Sequence, residues 1–413
     1  MTNFEKRCVL LLTSLLTLGT GCEGTYGPWA LADTAAEGSV TLESTNQAVA
    51  IAADYATLAG NATAVADSRV VDVFRRGASS SWAFQQRLQR RPENPELDFG
   101  QALAMQANHL VIGGGREYDQ ATQILPAGAR LGYVDYYLRA QSGYQFVKTI
   151  SPTIPAGSQP SNYTRFAHTL DVEAPWLVVG APYYYANIGR VFVFDLDSSE
   201  QTVLTEADPT FLSEQYYGTV VRIDSGRIAV GKPRLCNASA VHRPCYGQVF
   251  IYELVAGSWT RTYSVQSPEV DASEGSIYID AFGAALAIEG NYLVVADGQP
   301  VAGELRLYVY EFEAGTGWVH QQTLTTNGVS RHSLAMDGVH LAVGEPHGGT
   351  EADSSADVAQ VRMFRRKGST FLEEGVIVLP NTSYANALDL SGRNMIVSTS
   401  EPAFRALLFR EGP

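Results

Sequence analysis

The sequence predicts an all-β chain folded as a seven-bladed β-propeller of four-stranded antiparallel blades. Three observations carry that reading: a hairpin pattern recurs seven times, an aromatic-rich strand follows each copy, and the last copy is one strand short. Composition agrees. At 413 residues and 45% hydrophobic content the chain can bury a large core. Charged residues are sparse at 17%, while Gly, Thr and Tyr abound, which favours short strands and polar turns over helices.

The hairpin comes first. "FGQALAMQANHLVIGGG" from Phe99 aligns with "FAHTLDVEAPWLVVGAP" from Phe166 and "YGTVVRIDSGRIAVGKP" from Tyr217. "FGAALAIEGNYLVVADG" from Phe282, "SRHSLAMDGVHLAVGEP" from Ser330 and "YANALDLSGRNMIVSTS" from Tyr384 continue the series, and "AVAIAADYATLAG" from Ala48 is a weaker first copy. An aliphatic marker (Val49, Leu103, Leu170, Val221, Leu286, Leu334, Leu388) is followed ten residues later by a small one. The small residues are Ala59, Gly113, Gly180, Gly231, Ala296, Gly344 and Ser398. An alternating strand, a tight polar turn and a second apolar strand make a β-hairpin. Gly at its end is expected because the backbone must turn tightly there, and Pro182, Pro233 and Pro346 stop the ladder.

The outer strands follow. "VVDVF" from Val70, "YVDYYL" from Tyr133, "VFVFDL" from Val191, "VFIYEL" from Val249, "LYVYEF" from Leu307, "VRMF" from Val361 and "ALLF" from Ala406 predict a third strand per copy. "WAFQQRLQ" from Trp82, "YQFVKTI" from Tyr144, "WTRTYSV" from Trp259 and "WVHQQTL" from Trp318 predict a fourth. Markers lie 54, 67, 51, 65, 48 and 54 residues apart, so the excess over a bare propeller repeat of roughly 40–50 residues sits in loops. One such sheet cannot bury both faces alone, and radial stacking covers each with its neighbours. The seventh copy has three strands. "GSVTLES", residues 38–44, is expected to supply the fourth beside Ala406–Arg410 and so to close the ring and cover an edge. The propeller would then span 38–413, after a signal at 1–21 and a tether at 22–37.

The repeats resemble the FG-GAP family found in integrin α-chain propellers and exported bacterial proteins. Phe99-Gly100 and Phe282-Gly283 carry the first half of that name, Gly180-Ala181-Pro182 the second, with Gly231-Lys232-Pro233 and Gly344-Glu345-Pro346 close to it. The resemblance implies a binding propeller and covers nearly all of 38–413. It departs in one respect: many members hold calcium between the first two strands, but turns such as "EAP", "DSG" and "DGV" offer one or two side-chain oxygens where calcium takes six to eight. No metal and no cofactor is expected. "DLDSSE", Asp195–Glu200, reads as a solvated outer turn.

The N-terminus reads as an export signal. Lys6 and Arg7 precede an apolar run from Val9 to Leu18, too short to span a bilayer, and Gly19-Thr20-Gly21-Cys22 resembles a bacterial lipobox with Gly19 where Leu is usual. Cys22 would carry the lipid, and the bilayer would be met through that anchor alone, in the cell envelope at the outer membrane. Cys236 and Cys245, inside "CNASAVHRPC", are expected to form a local disulfide worth about 3 kcal/mol or less. Net charge is −14 with four lysines, and no dense basic run exists, which argues against nucleic-acid binding. A monomer is expected.

Chemistry-bearing residues are few. Gln101, His168, Thr219, His332 and Asn386 share one repeat position and are candidates to line an axial channel. His332, Ser333 and Asp337 sit in one strand and its turn and cannot converge as a catalytic triad. Asp171 and Asp389 share another first-strand position, but the small residues aligned with them read as a packed face. No catalytic residue is assigned, and an enzyme is not expected. The long loops Gly114–Gly132, Pro152–Arg165, Lys232–Gly247, Pro268–Ala281 and Pro346–Gln360 should emerge on one face. Tyr118, Tyr163, Tyr183, Tyr184, Tyr185, Tyr246 and Tyr278 make that face the candidate binding surface for a protein or polysaccharide. The other classes left open are a glycoside-cleaving propeller, which would need converging carboxyls at the axis, and a structural envelope component.

Overall fold

The computed structural model describes residues 29–34, 48–61, 69–77, 81–92, 99–115, 132–153, 164–184, 188–205, 215–233, 247–268, 281–297, 305–326, 333–345, 359–379, 384–400 and 405–411. They form seven four-stranded antiparallel sheets arranged as the blades of a propeller. Blade 1 comprises β2 (Val49–Ala52), β3 (Tyr55–Asn61), β4 (Arg69–Arg76) and β5 (Trp82–Gln89). Blade 2 runs β6 (Ala102–Gln106), β7 (His109–Gly115), β8 (Gly132–Ala140), β9 (Gly143–Ile150), and blade 3 runs β10 (Thr169–Glu173), β11 (Trp176–Ala181), β12 (Arg190–Asp195), β13 (Gln201–Leu204). Blade 4 holds β14 (Val221–Asp224) to β17 (Ser258–Gln266), blade 5 β18 (Ala285–Glu289) to β21 (Gly317–Thr326), and blade 6 β22 (Leu334–Met336) to β25 (Thr370–Val378). In blade 7, β26 (Tyr384–Ser391), β27 (Asn394–Ser400) and β28 (Arg405–Glu411) are joined by β1 (Trp29–Thr34).

Ring closure is therefore made by an earlier segment than expected. β1 pairs antiparallel with β28, Trp29 opposite Glu411 and Thr34 opposite Leu407, with a register shift between Leu31 and Asp33. Residues 38–44 lie outside the described residues. "GSVTLES" alternates apolar and polar residues whereas "WALADT" runs four apolar residues into two polar ones, so period alone points to the later segment. Link length points the other way: the links between fourth and first strands run from five residues (379–383) to eighteen (151–168), β1 leaves fourteen (35–48), and a strand ending at 44 would leave four. The first strand among the described residues, Trp29–Thr34, thus lies inside the segment expected to be a tether.

The core is divided among the seams. Seven buried apolar clusters each draw on two neighbouring blades. One, for example, combines Val111, Val134 and Tyr136 of blade 2 with Phe166, Leu170, Val179 and Phe194. The closing seam is of the same kind: Val49, Ile51, Leu58 and Trp82 of blade 1 meet Ala387, Ile396 and Leu408 of blade 7. At ~1.5–3 kcal/mol per large buried side chain, each seam outweighs any single polar contact.

The "FG" and "GAP" halves of the repeat meet across these seams. A Cβ on Gly180 would fall 2.2 Å from the carbonyl oxygen of Gly218 in the next blade, and one on Gly231 the same distance from that of Gly283. On Gly113 it would lie 2.9 Å from the Ala167 Cβ. The second-strand glycine is needed for close approach between blades, not for the tight turn expected of it. The unusual backbone belongs to the other half: Gly100, Gly218 and Gly283 have φ of +82°, +83° and +88°, and Ala167 holds the same place at +64°.

Candidate functional site

The seven inner strands surround an axial cavity of about 840 Å³. Antiparallel topology gives it two unlike mouths. Each inner strand starts on the side from which the long inter-strand loops leave, and ends at a tight hairpin on the other side. One place after each marker stand Ala50, Ala104, Asp171, Arg222, Ala287, Ala335 and Asp389, and all of these but Ala50 line the cavity. Alanines leave room, and two carboxyls and one guanidinium occupy the rest. Asp171, Arg222 and Asp389 all line the cavity, which replaces the packed face expected for the two aspartates.

Both aspartates bind backbone of the next blade. Asp171 Oδ2 accepts from Ile223 N at 2.9 Å and its Oδ1 from Val172 N at 2.9 Å. Asp389 repeats this across the closing seam, Oδ2 accepting from Ile51 N at 2.9 Å and Oδ1 from Leu390 N at 2.9 Å. They thereby satisfy edge N–H groups that the innermost strand leaves without a ladder partner. Burial nevertheless dominates their titration. It pushes Asp171 up to about 6 against the pull of Arg222 and the two N–H donors. Asp389 is pushed up to about 7 by burial, with Asp171 adding to the rise and Arg222 opposing it. Arg222 acts on carboxyls of blades 3 and 7 alike, so charges on opposite walls share one field.

Three residues past the marker the wall is more acidic: Gln106, Glu173, Asp224, Glu289, Asp337 and Ser391 stand at the hairpin end. Most reach the next blade's turn. Gln106 Oε1 accepts from Ala174 N (3.0 Å), Glu173 Oε2 from Gly226 N (2.9 Å), Asp224 Oδ2 from Gly290 N (2.6 Å) and Ser391 Oγ from Ala53 N (2.9 Å). Glu289 is pushed up to about 7, first by burial and then by Asp224, Asp337, Asp171 and Glu173. Asp337 accepts from His340 N at 2.7 Å, and its Oδ2 lies 3.2 Å from the buried His340 Nδ1. Ser333, buried, donates to Gly344 O at 3.0 Å.

The loop-side mouth is cationic and aromatic. Gln101, Arg165 and His168 line the cavity there. The Arg165 guanidinium lies 4.9 Å over the Tyr183 ring, Tyr216 meets Tyr183 edge-on at 5.3 Å, and His168 at 6.3 Å. All four are partly exposed. Of the residues expected to share this level, Gln101 and His168 are in place. Thr219 is buried, donates its Oγ1 hydrogen bond to Tyr216 O at 2.6 Å and is not among the residues lining the cavity. His332 and the side chain of Asn386 lie outside the described residues.

The tyrosines expected on the loop face divide. Tyr183 is at the mouth, whereas Tyr184, 1% exposed, packs on Phe192 under the Arg190 guanidinium and is a core residue. Tyr118, Tyr163, Tyr185, Tyr246 and Tyr278 lie outside the described residues, as do Cys22, Cys236 and Cys245. Asp195 accepts from Asp197 N and Ser198 N at 2.7 and 3.1 Å, the geometry of a polar turn. Among the described residues no group of three or more His, Cys, Asp or Glu is placed to hold a metal ion. Sequence reasoning missed Arg165, Tyr216, Arg222 and Glu289. For Arg222 and Glu289 the signal was available, since a charged residue in a column that holds four alanines, and a column that is polar in six of seven copies, both need a polar wall to face.

Set against known proteins, the chain matches no protein-family model and no curated protein.

Proposed function

We propose that this propeller is an exported, lipid-anchored binding module that recognises a protein or polysaccharide partner through its loop-rich face. The carrying observation is the partly exposed cluster of Arg165, His168, Tyr183 and Tyr216 at the loop-side mouth of the cavity. Rigid aromatic rings with a stacked guanidinium are the make-up of contact hot spots. The charged, short-apolar N-terminus ending at Cys22 supports export and anchoring, and the FG-GAP-like repeats support a binding role. The test is proximity labelling on intact cells with Tyr183→Ser and Tyr216→Ser beside the native protein. A partner lost with either change supports the reading, and labelling unaffected by both overturns it. Mass spectrometry of the mature N-terminus tests the anchor: diacylglyceryl-Cys22 is expected, and an unmodified start elsewhere removes it.

A second reading is favoured by one observation. Asp171 and Asp389 are carboxyls raised to about 6 and about 7 in one cavity, the condition a general acid needs near neutral pH. An enzyme cleaving glycosides at the axis would use that pair. Hydrolysis of a glycan panel, abolished by Asp389→Asn, would favour it over simple binding. Against it, every oxygen of the pair already accepts a backbone N–H.

A further inference from the structure

Blades 1 and 2 differ from the others at their outer edge. In five blades the fourth strand pairs with the third past a bulge. The residue pair beside it sets Phe84 opposite Phe74, Phe146 opposite Tyr137, Arg261 opposite Tyr252, His320 opposite Tyr310 and Glu373 opposite Phe364. The third-strand partner is aromatic throughout. The outer residue is polar in blades 4, 5 and 6, so the fold does not ask for phenylalanine there. Phe84 is 52% exposed and Phe146 37%, and they are the only exposed phenylalanines among the described residues. Val147, next in the chain, is 44% exposed. The two strands are neighbours: Gln86 Nε2 donates to Tyr144 O and Gln86 Oε1 accepts from Tyr144 N, both at 2.9 Å. Apolar rings kept in water at adjacent edges point to a surface that covers them.

The same two outer hairpins are basic in an acidic chain. β4–β5 and β8–β9 hold Arg69, Arg75, Arg76, Arg87, Arg139 and Lys148 against two carboxylates, Asp72 and Asp135. The outer hairpins of blades 3, 4 and 5 (190–204, 248–266 and 305–326) hold three cations against six carboxylates. Arg75 of blade 1 and Arg139 of blade 2 both lie over the Tyr55 ring, at 5.6 and 4.8 Å, and neither is paired with a carboxylate among the described residues. Like charges held together in this way favour an anion from outside the chain.

The start of the ring lies at the same edge. β1 is the outer strand of blade 7, which packs on blade 1, and Trp29, opposite Glu411, is its hairpin-side end. Phe84 and Phe146 stand in the hairpin-side halves of β5 and β9. Cys22 is seven residues before Trp29, so a lipid on it lies within about 25 Å of that strand end. A convex rim with aromatic rings between long cationic side chains fits a flat anionic surface: rings enter the headgroup layer and guanidiniums meet phosphate.

We infer that the rim of blades 1 and 2 lies on an anionic lipid bilayer, with Phe84 and Phe146 in the headgroup layer and Arg75 and Arg139 on lipid phosphates. The inference rests on the membrane address proposed above. It adds a second contact beside the anchor and turns the loop-side mouth from the bilayer.

The probe is a vesicle of equal phosphatidylcholine and phosphatidylglycerol, beside one of phosphatidylcholine alone, in a flotation assay. The protein is the chain from Glu23, which keeps every described strand and lacks the apolar run Val9–Leu18. The expected result is saturable binding to the anionic vesicle, at least ~tenfold weaker on the neutral one and at raised salt. Phe84→Ser with Phe146→Ser, and separately Arg75→Gln with Arg139→Gln, should each weaken it at least ~tenfold. Leu372→Ser, at an equally exposed apolar residue of blade 6, should not. If the phenylalanine variant melts early, the arginine variant decides. Binding to neither vesicle, equal binding to both, or undiminished binding by the arginine variant overturns the inference. A dimer in sedimentation velocity that the phenylalanine variant dissolves assigns the patch to a second copy and also overturns it. Diacylglyceryl-Cys22 without vesicle binding keeps the anchor and removes the rim contact, and vesicle binding with an unmodified N-terminus does the reverse.

Discussion

Asp389→Asn should remove a pH dependence of stability that arises at the ring's closing seam. In the folded protein Asp389 is raised from 3.8 to about 7, so between those values the folded state keeps a proton that the unfolded chain has lost. Stability then falls as pH rises through this window and levels off above 7, with a slope of up to about 1.4 kcal/mol per pH unit for this one group. From pH 5 to pH 7 the ceiling is about 3 kcal/mol. Solvent reaching Asp389 from the cavity and its coupling to Asp171 reduce that to about 1–2 kcal/mol. Asparagine has no proton to lose and only one acceptor for two N–H groups, Ile51 and Leu390. One buried donor is left unpaired, at about 1–3 kcal/mol. The variant should therefore be clearly less stable than the native protein at pH 5 and close to it at pH 8. Urea unfolding at pH 5, 6.5 and 8 measures both curves. His109, lowered by burial, destabilises the folded state as pH falls below 6.5, but it is present in both proteins and cancels in the difference. Parallel curves for the two proteins would refute the argument.

Gly180→Ala, at an ordinary φ, should cost about 3 kcal/mol or more because its Cβ meets Gly218 O at 2.2 Å, while Gly226→Ala, at φ +69° with nothing within 4 Å, should cost only about 1. Urea midpoints of the pair decide whether blade contact or dihedral strain governs. Arg362→Met strips the fully buried Glu345 of its guanidinium, bonded at 2.6 and 3.1 Å, and should destabilise by about 3 kcal/mol, with part recovered by adding Glu345→Gln. Deleting residues through 34 removes β1 and should speed amide exchange across Ala406–Arg410 at least ~tenfold, with no change expected if another segment covered that edge. Asn394→Ala loses an acceptor for Arg76 and a donor to Ala53 O, and should cost about 2 kcal/mol against about 0.5 for the single exposed clasp removed by Gln106→Ala.

What the sequence made legible is the part that repeats. Ten-residue spacing between Leu170 and Gly180, or Leu286 and Ala296, appears unchanged as the pairing of β10 with β11 and of β18 with β19 (Tyr292–Ala296). Blade number, strand order and the three-stranded last copy follow from that one period. What did not repeat was harder to read. The closing strand has no counterpart with which to align it, and residues 38–44, which alternate apolar and polar side chains, drew the reading away from Trp29–Thr34, which do not. The site was hidden for a related reason. Asp171 and Asp389 stand in a column of alanines, and a small-residue column means close packing only if its other members are small too. Arg222 in the same column was the sign that this level faces polar space. Arg165 and Tyr216 precede the repeat's first aligned residue, where the sequence shows no backbone conformation.

The polar groups of the inner strands go beyond what the ring requires. Blade 7 and blade 1 are joined by the link from β1 to β2, as the other blades are joined from fourth strand to first, and their seam carries the side-chain clasps Asp389 to Ile51, Ser391 to Ala53, and Asn394 to Ala53 and Arg76. Asp171, Glu173 and Asp224 make the same kind of bond between blades 3 and 4 and between blades 4 and 5. The fold does not demand a carboxyl there, because Ala50, Ala104, Ala287 and Ala335 occupy the place of Asp171 and Asp389 in other blades. Blades 3 and 4 hold four of these charges, Asp171, Glu173, Arg222 and Asp224. The same two blades supply Arg165, Tyr183 and Tyr216 at the loop-side mouth. Adjacent blades that depart from the repeat at both ends of one cavity wall are where the proposed binding role would have its partner meet the ring.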